Sequence, residues 1–218
     1  MKKIVFAGIV ALLLAACAKS TDPVNNVAQA ANDKDIQSKN FVSDCKAKAF
    51  DGGLTGIISI GSPIQSALVG YRIDGARISR TSRLFTTNDC SGDTAISFEE
   101  TGTVSIQPDK RTSDLGKFID VDYTKLEVAT PIAAGVTAAN ALHLCGATNW
   151  DVSASRDVTD RAKDPLCYGV VVPRHLATIY RFDAGNLYWG ATDNTGANAS
   201  DNNHRPSTIN FNDKYKAQ

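Results

Sequence analysis

The stretch SALVGYRIDGARISRTSRLF, Ser66 to Phe85, alternates apolar and polar residues on both sides of Asp74-Gly75. A period of two is the signature of a strand with one dry face, and Asp-Gly favours a two-residue hairpin turn because it tolerates positive φ. With Asp74-Gly75 as the turn, Ile73 pairs with Ala76, Tyr71 with Ile78 and Val69 with Arg80. Those residues share one face, while Arg72 and Arg77 share the other. Two arginines facing each other repel, so that second face must be wet.

A second hairpin is expected in ATIYRFDAGNLYWGA, with Ala184-Gly185 as the turn, Phe182 opposite Leu187 and Tyr180 opposite Trp189. Between the two hairpins lie TAISFEETGTVSIQ and GKFIDVDYTKLEVAT, both alternating and rich in β-branched residues. Ile119, Val121 and Tyr123 point one way, and Asp120 and Asp122 the other. One helix is expected in TPIAAGVTAANALHLCG, with Pro131 in its first turn and Gly146 as its stop. No composition break interrupts residues 41–218, which therefore read as one mainly β domain. Antiparallel strands with one dry face close into a barrel or pack as a sandwich. A composition of 43% hydrophobic and 21% charged residues supplies one core.

The N-terminus reads as an export signal. Lys2 and Lys3 precede an uncharged apolar run of 11 residues, Ile4 to Leu14, too short to cross a bilayer. Leu14-Ala15-Ala16-Cys17 then looks like a bacterial lipobox: a branched residue at −3, small residues before the cut, and Cys at +1. Residues 1–16 are thus expected to be a signal peptide and Cys17 an acylated first residue. Acyl chains stabilise membrane attachment by about 0.8 kcal/mol per buried methylene, so several chains anchor firmly. Ordinary cleavage after the Ala-rich stretch and a structural Cys17 are the alternatives. Residues 18–40, polar and poor in aromatics, are expected to be a tether, with a short helix over 24–31 as the alternative. Ala18 and Lys19 after the cysteine favour the outer membrane over inner-membrane retention.

Setting Cys17 aside leaves Cys45, Cys90, Cys145 and Cys167, an even number suited to an oxidising compartment. Three pairings are possible. The sequential one, Cys45–Cys90 with Cys145–Cys167, is favoured because each bridge then staples a local unit. No Cys-x-x-Cys spacing occurs, and His143 with Cys145 is too little for zinc, so no metal is expected.

Equal numbers of basic and acidic residues, 23 each, argue against a nucleic-acid partner. No nucleophile elbow, metalloprotease helix, Walker loop or dinucleotide fingerprint occurs, and His143, His175 and His204 sit in unlike contexts. Neither catalysis nor a cofactor is expected. DNTGANASDNNH, residues 193–204, is rich in oxygen side chains but lacks the spacing of a calcium loop. Arg77, Arg80 and Arg83 form a basic cluster read as solvated surface. The aromatics Tyr71, Trp150, Tyr180, Phe182 and Trp189 are the candidate lining of a ligand cavity suited to a small hydrophobic molecule, with ordinary core packing as the commoner role of such residues inside a barrel.

The second half carries LHLCGATNW, SRDVT, DPLCYG, IYRFDAGNLYWGA and RPSTINF in that order, and the first half carries Cys45 and RLFTTNDC. As a set these resemble uncharacterised proteobacterial lipoproteins. Where such proteins have Trp shortly before the first Cys, this chain has Phe41. The resemblance implies a lipocalin-like barrel or half-barrel with one short helix, more distantly similar to the ectodomain of the adenomatosis polyposis coli down-regulated Wnt antagonist. It further implies structural roles for Cys145 and Cys167, Trp150 packed near their bridge, and an apolar ligand.

Overall fold

The structure, a computed structural model, describes residues 33–47, 57, 64–193 and 198–218. The expected signal peptide, Cys17 and residues 18–32 lie outside the described residues. The strands are β1 (Lys39–Ser43), β2 (Lys46–Ala47), β3 (Ser66–Asp74), β4 (Arg77–Phe85), β5 (Ile96–Arg111) and β6 (Lys117–Ala129), followed by helix α1 (Ala133–Ala141). Strands β7 (Ser155–Asp157), β8 (Arg174–Asp183), β9 (Asn186–Gly190) and β10 (Ile209–Ala217) complete the order.

Neighbouring strands run antiparallel in the order β1-β10-β9-β8-β6-β5-β4-β3, and β1 pairs back onto β3. The sheet is therefore a closed eight-stranded barrel, lipocalin-like in architecture, rather than a half-barrel or sandwich. Strand β2 extends the line of β1 along β3, and β7 adds to the far end of β6.

Both hairpins form. The β8–β9 register is the expected one, with Tyr180 opposite Trp189 and Phe182 opposite Leu187. Ala184 and Gly185 both take positive φ, as a type I′ turn requires. The β3–β4 register differs from expectation. Asp74 opposes Arg77, Ile73 opposes Ile78, Tyr71 opposes Arg80 and Val69 opposes Ser82. Gly75 is the first central residue of the turn and has φ +59, whereas Ala76 is not in the positive-φ region. Positive φ at the first central position alone belongs to type II′, which moves the turn along by one residue. The pairing shifts by two, so the faces keep their membership. Arg72, however, faces Ser79, and Arg77 faces Asp74 rather than another arginine.

Two apolar clusters fill the ends of the barrel. At one end Leu84, Ile96, Phe98, Leu126 and Val128 pack under the 130–173 connection, which adds Ala139, Leu144, Trp150 and Tyr168. Helix α1 begins at Ala133 after an Ile132 N-cap, so Pro131 lies just before the helix rather than in its first turn. The helix ends at Ala141, and Gly146 instead closes a short 3₁₀ turn beyond it. At the other end Ile73, Ile78, Ile106, Ile119, Leu187 and Phe41 pack with Ile36, which is fully buried. Burying each such large side chain stabilises the fold by about 1.5–3 kcal/mol.

Ile36 corrects the expected boundary at residue 41. The folded unit already includes Asp33–Asn40, because Gln37 bridges to Ile73 and Lys39 starts β1. Lys117 Nζ donates to Asp33 at 2.5 Å and to Asp35 at 3.2 Å, and the Tyr180 hydroxyl donates to Asp33. Burial alone would raise the Asp33 carboxyl, but the hydrogen bonds from Lys117 and Tyr180 outweigh it and hold the group below its ordinary value.

Both sequential disulfides are present, Cys45–Cys90 and Cys145–Cys167, enclosing separations of 45 and 22 residues. Closing loops of those lengths stabilises by about 3–4 kcal/mol each in the chain-entropy account.

Strands β5 and β6 slip register between Thr101 and Gly102, where Gly102 pairs with Tyr123 and Thr124 becomes the extra residue. A Cβ on Gly102 would lie 2.0 Å from the Asp122 carbonyl oxygen. The bulge therefore needs glycine. Gly102→Ala is expected to destabilise the barrel by about 1–3 kcal/mol, read as a lowered urea midpoint. Asp33→Asn is expected to lower stability at neutral pH. Because Asp33 titrates lower in the fold than in the unfolded chain, its contribution is complete above the ordinary value of 3.8 and fades as pH falls below it. Unfolding curves of Asp33→Asn should thus lose less stability between neutral and acid pH than the parent.

Candidate functional site

Between the two apolar clusters the barrel interior changes character. Register places Tyr71, Arg80, Glu100 and Leu126 side by side on β3, β4, β5 and β6. All four occupy inward positions of their strands. A carboxylate and a guanidinium thus stand where the alternation requires core residues, in line with Ile78, Leu84, Ile96 and Phe98.

Glu100 has no exposed surface, and Arg80 is 8% exposed. Glu100 Oε1 accepts from Arg174 Nε at 3.1 Å and Nη2 at 2.9 Å. Its Oε2 accepts from Arg174 Nη2 at 2.9 Å, Arg80 Nη1 at 3.2 Å and the Tyr168 hydroxyl at 2.7 Å. Arg80 Nε donates to the Tyr71 hydroxyl at 3.2 Å, and Arg80 Nη1 also meets the Tyr168 hydroxyl. Arg174 lies over the Tyr123 ring, 5.0 Å from its centroid. Burial opposes the Arg80 charge, but the facing Tyr71 and Glu100 more than offset it and hold Arg80 above the ordinary guanidinium value. Burial, with Tyr71 and Glu100 beside it, pushes the Tyr123 hydroxyl well up, so that residue stays protonated.

Beside this cluster lies a cavity of about 440 Å³. Its walls are Tyr71, Tyr123 and Trp189 with Val121 and Leu176, and Arg80 and Arg174 reach into the same space. Strand β9 pairs with β8 only along Tyr180–Asp183, leaving the upper part of β8 to the chain that follows β9. There Ala177 N–H donates to the Ala199 carbonyl at 2.9 Å. Thr192, Asp193, Asn198 and Ala199 form the rim. Arg205 holds this segment in place, donating from Nη1 to the Ile119 carbonyl at 2.9 Å and from Nη2 to Asp120 and Asn202.

Of the five aromatics expected to line a cavity, Tyr71 and Trp189 do so, with ring centroids 5.0 Å apart. Trp150 belongs to the opposite cluster with Cys145 and Cys167, and its Nε1 donates to the Leu144 carbonyl at 3.2 Å. Tyr180 is fully buried against Asp33, and Phe182 packs edge-on against Phe41 with centroids 6.0 Å apart. Tyr180 and Phe182 take inward positions at a packed end rather than in the hollow middle, and Trp150 belongs to the 130–173 connection that packs at the other end.

The basic cluster also divides. Arg77 and Arg83 sit on outward positions of β4, but Arg80 is inside the barrel, contrary to the solvated reading. His175 and His204 contact Asp122 and Asp201, both at 2.8 Å, in exposed positions away from the cavity. In the 193–204 stretch the Asp201 side chain caps a 3₁₀ turn, accepting from Asn203 and His204 backbone N–H. Among the described residues no group of three or more His, Cys, Asp or Glu side chains is placed to hold a metal.

Glu100, Tyr168 and Arg174 were not expected at the site. The signal for Glu100 was its parity with Ile96 and Phe98, and that for Arg174 its parity with Leu176. No protein-family model and no curated protein matches this sequence.

Removing the charge of Glu100 leaves two guanidinium groups sharing a buried space without a counter-ion. Glu100→Gln is expected to cost about 3–5 kcal/mol of stability. Arg174→Met should cost less, since Glu100 then keeps Arg80 and Tyr168 and the Arg174 side chain is 22% exposed. Urea titrations of the two variants check that order.

Proposed function

We propose that this protein is a lipid-anchored cell-envelope lipoprotein whose barrel binds or carries a small molecule. The observation that carries the reading is the cavity of about 440 Å³ inside a barrel whose two ends are otherwise packed. A barrel acting only as a scaffold would fill its middle as it fills its ends, since voids forfeit contact energy. Small-molecule sites of about 300–1,000 Å³, with apolar walls and a few placed polar groups, have this make-up. The two disulfides support an oxidising compartment outside the cytoplasm. The apolar run ending in Leu14-Ala15-Ala16-Cys17 supports membrane attachment through acylated Cys17, at the outer membrane given Ala18 and Lys19.

Mass spectrometry of the protein extracted gently from native membranes tests both parts together. The expected result is a chain starting at Cys17 with acyl mass added, accompanied by a stoichiometric small molecule. A chain beginning elsewhere with an unmodified first thiol removes the anchor. An acylated chain that neither carries nor takes up any small molecule removes the binding role.

A further inference from the structure

We infer that the cavity is built for an organic acid: a ligand with an anionic oxygen head and an apolar body. This rests on the small-molecule-binding reading above and adds the chemistry of the ligand.

The inference comes from counting donors and charges. Arg80 and Arg174 bring two positive charges to the cavity, and Glu100 brings one negative charge. Both Glu100 oxygens are already engaged by Arg80, Arg174 and Tyr168. Asp193 is the one acidic residue of the lining, and it is exposed, whereas Arg80 is buried. The inner wall thus keeps a net positive charge.

The donors left over point the same way. Arg80 Nη2 and Arg174 Nη1 donate to no described residue, although their other nitrogens do. The indole Nε1 of Trp189, a wall residue, is buried with no partner among the described residues. Guanidinium and indole N–H groups can only donate. Arg80 and Arg174 thus turn two unengaged guanidinium nitrogens on the cavity, which call for a ligand with acceptor oxygens, and the positive charge calls for an anion.

Beyond the guanidinium groups the walls are largely apolar: Tyr71, Trp189, Val121 and Leu176 offer ring faces and aliphatic surface. A free inorganic anion would leave that surface wet. At about 440 Å³ the space lies toward the lower end of small-molecule sites, which suits one short chain or a fused ring pair rather than a two-chain lipid.

The test compares acids with neutral amides of the same shape on the full chain: 2-naphthoate with 2-naphthamide, and decanoate with decanamide, by titration calorimetry. At least one acid is expected to bind about tenfold or more tighter than its amide, the worth of one charge-assisted hydrogen bond. Arg174→Met should bring that ratio close to one while leaving amide affinity in place, which also shows that the variant is folded. The naphthoate and decanoate arms separate a ring-bearing ligand from an acyl one. Amides binding as tightly as acids to the parent protein would overturn the anion inference and leave a neutral apolar site. Failure of all four compounds to bind would overturn the binding reading itself.

Discussion

A carboxylate with no exposed surface sits near the middle of the barrel and constrains everything around it. Taking an ion out of water costs several kcal/mol, which only well-formed charge pairing and hydrogen bonds offset. Glu100 meets that demand with Arg80, Arg174 and Tyr168, drawn from β4, the start of β8 and the 130–173 connection. Three separate parts of the chain must therefore be in register before the carboxylate is satisfied. A two-residue slip of β3 and β4 against β5 would take Arg80 away from Glu100, so the charge also acts against misregistered barrels.

The same cluster explains why the barrel is hollow where it is. Side chains from facing strands can interdigitate only if they are apolar and free to fill space. Guanidinium groups tied to Glu100 are fixed in position, and the rings of Tyr71 and Tyr123 stack against or bond to them. The Gly102 bulge brings β5 and β6 unusually close and re-aims the residues beyond it, which places Tyr123 opposite Arg174 across β6 and β8. Apolar packing resumes on either side of this band.

How much of this the sequence displayed depends on the kind of constraint. Alternation carried the strands, and Ala184-Gly185 carried a register that the fold reproduces pair for pair. Asp74-Gly75 misled by one position, because only Gly75 takes positive φ and the dipeptide preference suits type I′ rather than type II′ turns. Sequence proximity carried the disulfide pairing. Closure of the barrel, by contrast, depends on β1 bonding both β3 and β10, contacts between the two ends of the chain that no local pattern encodes. Asp33 and Asp35 read as tether because their partners, Lys117 and Tyr180, lie far along the chain. The charged cluster was visible only as charged residues at the wrong parity. Arg80 even fell on the apolar face of the expected hairpin, yet its charge argued for solvent more strongly than its position argued for the interior.

The disulfides connect this cluster to the redox state of the compartment. Tyr168 follows Cys167 directly, and Val170, two residues further, lines the cavity. The Cys145–Cys167 bridge ties down the residue from which both follow, and Trp150 packs in the same cluster. Opening it would free the segment holding the Tyr168 hydroxyl against Glu100 and Arg80. A buried charge network tolerates little displacement, because each lost partner leaves a charge exposed to low-dielectric surroundings. The bridge therefore serves the site as well as the fold: it keeps the one neutral donor of the network in place, so that the arginines remain fixed and directed into the cavity.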